Sequence, residues 1–373
     1  MQTFTFPTKN TRTVLALGAE SAGNFSIFNK NKIYFSPDFG DLLEEKSWLA
    51  FQEAVLAFIK KERLTPDIIL TDLHPLMKTT LWGKELAKKF KAQHIQIQHH
   101  HAHIFCAIGE SFLPLPLSKG ETGKELSQIP SYQLPATSYG ITLDGTGYGT
   151  DEKIWGGEVF EISSAQYTIS NKITNPNDKI SKQNLHIERI GHLENQTLLG
   201  GELAIQEPAR MLLSILIKIS RKNHPSSIIN QKKFIYNFVK KYYTQNEFEL
   251  LYNQLEQNFN CVETSSTGRV LDAVSLLLGF CNNKRKYKHE PIDLLEKNST
   301  IPYKNLKPKI IKIKDKYYPL ENSLLKIDSK FEIQNSKLIL NTTILFKYLI
   351  NNLHRDKSRL AATAQLYIAQ GLH

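Results

Sequence analysis

HIQIQHHHAHIFCAIGE, from His94 to Glu110, packs five histidines into ten positions, with Cys106 close behind. HIQIQ reads as a strand that runs straight into the imidazoles. Upstream of it, LWGKELAKKFKA reads as a helix and PDIILTDLHP as a buried strand ending in a polar loop. EKSWLAFQEAVLAFIKKE places Trp48, Phe51, Val55 and Phe58 at helical spacing, which predicts an amphipathic helix from about Glu44 to Lys61. RTVLALGAES, GNFSIFN and KIYFSPDFG are short apolar strands, the last two separated by a polar NKNK turn, as in a β-meander. Strands alternating with helices in this way predict an α/β layer with parallel pairing.

Downstream, LPLPLSKGETGKELSQIPSYQLPAT is rich in proline, serine and glycine and has no apolar period, so it reads as a surface connection. A second β-rich unit starts at Ser138 with SYGITLDGTGYGTDEKIWGGEVFEI, in which a glycine-studded turn is expected to join two strands. Two successive units that each begin with strands predict two lobes of related architecture. The expected division is a first lobe over residues 11–115, a connection over 116–137 and a second lobe over 138–373. After about Leu198 the chain reads as mainly helical, with EPARMLLSILIKIS, GRVLDAVSLLLGF and SRLAATAQLYIAQGLH the clearest stretches.

Bulk properties narrow the class. A chain of 373 residues with 41% apolar and 22% charged residues can bury a real core. No apolar run approaches the roughly 18 residues of a membrane span, so no membrane partner is expected. The start, MQTFTFPTKNTRT, has no signal-peptide core. Cys106, Cys261 and Cys281 form no CxxC pair, which argues against a zinc ribbon or disulfide framework and suits a reducing cytoplasm. Much of the formal charge of +11 lies between about Asn282 and Pro319, in lysine- and asparagine-rich sequence. That composition reads as a solvated surface. No stacking aromatics or nucleic-acid motif accompany the lysines, so nucleic acid is not an expected partner.

If a helix begins just after HIQIQ, His99 and His103 lie one above the other on one face, as HExxH helices present two imidazoles to one metal. His100 and His101 project elsewhere, and one of them could orient a ligand. The alternative is a polar helix start with no ion. A third ligand would be an acid from a distant segment. Asp144 is the candidate, since it follows the apolar strand YGITL, and α/β folds place ligands at strand ends. Gly145, Gly147 and Gly149, with the Thr146 hydroxyl between them, could bring backbone N–H groups close to phosphate oxygens; a plain hairpin turn is the alternative. LLGGELAIQEPAR combines Gly200 and Gly201 with Glu202, Glu207 and Arg210, and also reads as a loop before a helix with Pro208 in its first turn. In SSTGRVLDAV, Ser265 or Ser266 could cap a helix carrying Arg269 and Asp272 as a surface ion pair.

Together and in this order, VLALGAE, FGDL, TDLHP, IQHHHAH, LDGTGYGTDEKIWGGE, RIGHLENQTLLGGELAIQEPARM and SSTGRVLDAV resemble the C-terminal, TsaD-like module of the HypF family, carbamoyltransferases of nickel–iron hydrogenase maturation. The resemblance runs from about Arg12 onward and is weakest between Cys281 and Ser358. It implies a two-lobed actin-like ATPase (ASKHA, RNase H-like) α/β fold, in which the second lobe carries a mainly helical insertion. It implies a divalent metal, iron or zinc, on His99, His103 and Asp144. It also implies ATP or carbamoyl-adenylate beside Gly145, Thr146, Gly147, Gly149, Gly200 and Gly201, with His100, Glu202 and Arg210 in support. The implied reaction passes a carbamoyl group to the C-terminal cysteine thiol of a HypE-type acceptor. The family's SGGVFQN and NDGG segments do not occur in this sequence, nor do its acylphosphatase-like, zinc-motif and YrdC-like domains. The second lobe is therefore expected to be incomplete, and turnover to need those HypF domains or a complementing polypeptide. The readings kept beside it are a non-catalytic remnant or interaction subunit, and an O-carbamoyltransferase or tRNA-modifying relative.

Overall fold

The computed structural model describes residues 1–6, 10–111, 137–164, 185–223, 228–314 and 336–373. The chain divides into two compact units, one made of Met1–Gln133 with Tyr148–Thr150, the other of Leu134–Gly147 with Asp151–His373. The proline-rich connection expected over 116–137 lies outside the described residues, apart from Thr137.

In the first unit, β1 (Gln2–Thr5), β2 (Val14–Leu17), β3 (Phe25–Asn29) and β4 (Lys32–Phe35) are followed by α1 (Glu45–Lys61), β5 (Ile68–Asp72), α2 (Lys78–Phe90), β6 (Gln93–Ile97) and α3 (His99–Ser111). The sheet order is β1-β4-β3-β2-β5-β6. β2, β3 and β4 form the expected antiparallel meander, and β2, β5 and β6 pair in parallel. β1 is an addition that periodicity does not reveal. All four of its residues are exposed, and it joins the edge through its backbone ladder to β4. Leu15, Leu17, Phe25, Ile27 and Ile69 of the sheet pack against Phe51, Val55 and Ile59 of α1 and Leu86 and Ala87 of α2. α2 comes close to the sheet because residue 83 has no side chain: a Cβ on Gly83 would stand 2.4 Å from Thr71 Cγ2. That contact seats α2 on the end of β5.

The second unit begins with β7 (Thr137–Tyr148), β8 (Ile154–Ser164), β9 (Leu185–Leu193) and β10 (Gln196–Leu199). The helices α4 (Leu203–Gln206), α5 (Pro208–Asn223), α6 (Ile228–Val239) and α7 (Gln245–Glu256) come next. Then follow β11 (Cys261–Thr264), α8 (Thr267–Leu278), α9 (Glu290–Lys297), β12 (Ile310–Lys314), β13 (Ser336–Leu340), α10 (Thr342–Asn351) and α11 (Lys357–Leu372). Its sheet runs β10-β11-β8-β9-β13-β12, with β7 paired to β8. One apolar core gathers α5, α8, α10 and α11, and α8 lies at its centre, with only Leu271 and Leu277 partly exposed. Among the described residues, no helix is long and apolar enough to cross a membrane.

One sequence reading needs correction here. The glycine-rich stretch was expected to be the turn of a hairpin. Instead β7 stays extended through Asp144, Gly145, Thr146, Gly147 and Tyr148, and the turn falls between Gly149 and Lys153. The reason is lateral packing: neighbouring backbone lies close against the strand, and the glycines that allow the approach are Gly156 and Gly268. A Cβ on Gly156 would meet Asp144 O at 2.5 Å, and one on Gly268 would meet Gly145 Cα at 2.9 Å.

Candidate functional site

In the first unit, β6 runs parallel to β5 with Asp72 opposite Ile97, and α3 starts after a single intervening residue, Gln98. This register sets His99 beside the Asp72 carboxylate, with Nδ1 2.6 Å from Oδ2. The other carboxylate oxygen, Oδ1, accepts the His74 backbone N–H at 2.8 Å. A carboxylate can only accept, so it places the His99 proton on Nδ1 and leaves Nε2 as the lone-pair nitrogen. One turn further along α3, His103 Nε2 stands 3.3 Å from His99 Nε2. Two imidazole nitrogens about 2.0–2.1 Å from one tetrahedral ion stand about 3.3 Å apart, so the pair is spaced as a metal chelate. The donor set therefore fits a borderline divalent ion such as zinc or iron. His100 is fully buried, with Nδ1 3.2 Å from Gln98 Nε2. Gln98 Oε1 in turn accepts the His101 N–H at 3.0 Å, which ties the first turn of α3 together. The sequence points to His100 or His101 as the orienting group; in the structure the side chain against His99 Nδ1 is the Asp72 carboxylate, at the end of β5.

In the second unit, Asp144 lies within β7 rather than at a strand end, because the strand runs on to Tyr148, and its Oδ1 accepts the Gly145 N–H at 2.6 Å. The SSTGR turn packs directly on this pair. Ser266 caps α8 by accepting the Arg269 N–H at 3.1 Å, and its hydroxyl lies 2.6 Å from Gly145 O. Arg269 and Asp272 were expected as a surface pair, but they are 5% and 1% exposed. The i,i+3 spacing suits an exposed helix face equally well; here α8 is enclosed on all sides. Arg269 Nη2 is 3.1 Å from Asp272 Oδ2, and Arg285 bonds the same oxygen. Burial pulls the Arg269 guanidinium down to about 10, against the pull of Asp272, so it stays charged at neutral pH. Burial also pushes the Asp272 carboxyl upward, against Arg269 and Arg285.

Arg269 links two stretches that the sequence singled out separately. Its Nη1 is 3.4 Å from Ile205 O, in α4, and a Cβ on Gly145 would lie 3.4 Å from its Nη2. Just before α4, Gly200 and Gly201 turn the chain with φ of +88° and +58°, the left-handed region that glycine enters freely. A Cβ on Gly200 would meet Arg210 Nη1 at 2.8 Å, so the turn rests on that guanidinium. Arg210 is held by Glu207, Nε to Oε2 2.7 Å, and Tyr243 donates to the same oxygen at 3.1 Å. Pro208 opens α5 as expected, while Glu202 is exposed at the start of α4 with no side-chain capping bond. Thr146 is exposed, and Gly147 and Gly149 are buried.

WGGE supplies a further cluster, to which the sequence alone gives no role. Glu158 is fully buried and accepts from the Gly156 and Gly157 N–H groups at 3.0 and 3.2 Å, from Ser265 and from Arg189. Arg189 lies 4.0 Å over the Trp155 ring. His192 is buried beside them, with Nδ1 donating to Leu193 O at 2.7 Å, and burial lowers its pKa to about 4, with Arg189 adding to the shift. The unfolded ring takes up a proton near its ordinary value of 6.5, whereas the folded ring stays neutral until about 4. Stability is therefore full above the higher value and falls as the pH drops through this window, by up to about 3 kcal/mol. Urea midpoints at neutral and mildly acid pH will show this loss, and His192→Gln should flatten the dependence. An equal acid loss in that variant would assign the effect elsewhere.

The chain matches two family profiles: HypF Kae1-like domain over residues 9–110, and Carbamoyltransferase, Kae1-like Domain, second subdomain over residues 140–175 and 180–373. The chain belongs to the HypF family. It is 33% identical over 370 residues to the probable carbamoyltransferase HypF of Methanocaldococcus jannaschii, covering 97% of this chain and 38% of that protein. It is 27% identical over 285 residues to the carbamoyltransferase HypF of Synechocystis, covering 75% of this chain and 31% of that one. The chain thus spans well under half the length of these HypF relatives. The crystal structure of T. kodakarensis HypF superposes with a TM-score of 0.70 at 26% identity, covering 99% of this chain and 40% of that one. A full-length HypF, solved in its phosphate- and nucleotide-bound form, gives 0.69 at 22%, covering 97% and 38%. These likenesses, with the Kae1-like profiles, make the architecture an α/β fold of ASKHA-like type.

Proposed function

We propose that this chain is the carbamoyl-transfer module of a HypF-type protein, moving a carbamoyl group from carbamoyl-adenylate to the C-terminal cysteine thiol of a HypE-type acceptor. The observation that carries the reading is the match to both Kae1-like subdomain profiles, in order, along the chain. In the reaction a thiolate sulfur attacks the carbamoyl carbon, a C–S bond forms, the C–O bond to the adenylate phosphate breaks, and AMP leaves with the electron pair. His99 and His103 of the first unit, together with Asp144 of the second, would hold a divalent ion, iron or zinc. Such an ion, when bound, supplies Lewis-acid stabilisation of oxyanion charge. Asp72 Oδ2 stands 2.6 Å from His99 Nδ1, so the nitrogen left for ligation would be Nε2. The glycines of the β7 stretch, Gly145 to Gly149, and the Gly200–Gly201 turn would let the backbone approach a nucleotide phosphate, and Arg210 braces that turn.

The test supplies purified chain with carbamoyl-adenylate and a HypE-type acceptor, with and without the remaining HypF domains, and reads the acceptor's mass. Carbamoylated acceptor supports the reading, and a requirement for the added domains makes the chain a subunit of a larger enzyme. No carbamoylation in any combination refutes it. Carbamoylated tRNA or small-molecule products in place of carbamoylated acceptor would assign a different acceptor.

A further inference from the structure

The His99–His103 pair chelates an ion only if both Nε2 atoms present lone pairs, and a histidine has no intrinsic reason to keep its proton on Nδ1. We propose that Asp72 is the positioning residue that fixes the tautomer and ring orientation of His99, and so sets the affinity of the pair for its ion. The proposal rests on the metal reading given above. Its support comes from how firmly Asp72 itself is held. β5, which ends at Asp72, lies between β2 and β6 in a parallel ladder, so its backbone is fixed from both sides. Thr80 Oγ1 donates to Asp72 O at 3.1 Å, and α2 is seated on the preceding residue through Gly83. The carboxylate is 6% exposed, and the His99 ring that it holds is 17% exposed.

Two N–H donors converge on this carboxylate, one on each oxygen: the His74 backbone on Oδ1 and His99 Nδ1 on Oδ2. Asparagine is nearly the same shape but offers one accepting oxygen and one NH2 group. It cannot serve both donors. If its oxygen keeps the His74 N–H, its NH2 faces the ring, which must then accept at Nδ1 and carry its proton on Nε2, the atom aimed at His103. Asp72→Asn therefore sets the side chain against the chelate while barely changing its volume, and the expected loss of affinity is about 10–100-fold.

The experiment has two arms. Zinc and cobalt affinities of wild type and Asp72→Asn, measured by competition with a chromophoric chelator, should differ by that factor. Long-range 15N–1H NMR of the metal-free wild type should show His99 as the Nδ1–H tautomer, shifting toward Nε2–H in Asp72→Asn. The wild-type spectrum needs no variant, so it decides the tautomer even if the substitution impairs folding. A wild-type His99 carrying its proton on Nε2, or a variant with unchanged tautomer and affinity, overturns the proposal. Wild type that binds neither ion would sink the metal reading, whereas the tautomer would still decide the role of Asp72.

Discussion

Replacing His99 and His103 together with alanine is expected to abolish stoichiometric binding of iron or zinc. The two Nε2 atoms stand at chelate spacing on one helix, so removing both leaves only acids and water as donors, which hold such an ion weakly. The fold should survive. His103 is exposed, and losing His99 strips one donor from Asp72, at a cost of about 1–3 kcal/mol. Metal content by atomic absorption, alongside circular dichroism to confirm folding, decides the matter; unchanged metal would reject the assignment. Asp144→Ala is the companion variant. If the second unit contributes the third ligand as proposed, its affinity falls while His99 and His103 remain.

The largest loss of stability is expected from Glu158→Ala. Removing the carboxylate leaves Arg189 in a buried setting with Asp151 Oδ2, at 3.6 Å, as its remaining acid. It also takes the acceptor from the Gly156 and Gly157 N–H groups. Breaking a buried pair on one side typically costs 3–5 kcal/mol. The effect is structural: the cluster fastens β8, β9 and the Ser265 turn, which in turn supports Asp144 and Gly145 through Ser266. Denaturant melts should therefore show a large drop in midpoint. A change below about 1 kcal/mol would mean that solvent reaches the cluster and screens the charges.

The elements that sequence made legible are those whose side chains report a period. Trp48, Phe51, Val55 and Phe58 marked α1, and their packing on the sheet is what the structure contains. HIQIQ marked β6, and the helix after it begins where the first histidine of the cluster stands. β1 was invisible because all its residues face solvent and only its backbone is engaged. Asp72 was missed for a different reason. Its meeting with His99 depends on the pairing of two strands, and 27 positions separate the residues in sequence. Arg269 and Asp272 were visible as a pair, but their burial was not, because the enclosure of α8 depends on helices elsewhere in the chain. The glycines of β7 suggest a turn by composition, while the packing that keeps the segment extended, Gly156, Gly268 and the Ser266 hydroxyl against Asp144 and Gly145, comes from other segments.

α3 leaves β6 with only Gln98 between them, and that brevity has a thermodynamic side. A helix launched one residue after a strand held in a parallel ladder shares its anchorage, which would limit how far the imidazoles could shift to suit an ion. An ion held there would have to suit the gap. Calcium and magnesium prefer oxygen donors and would gain little from a rigid nitrogen pair, whereas first-row transition ions lose nothing by it. Discrimination between ions would then rest on the two imidazoles together with the main chain that spaces them.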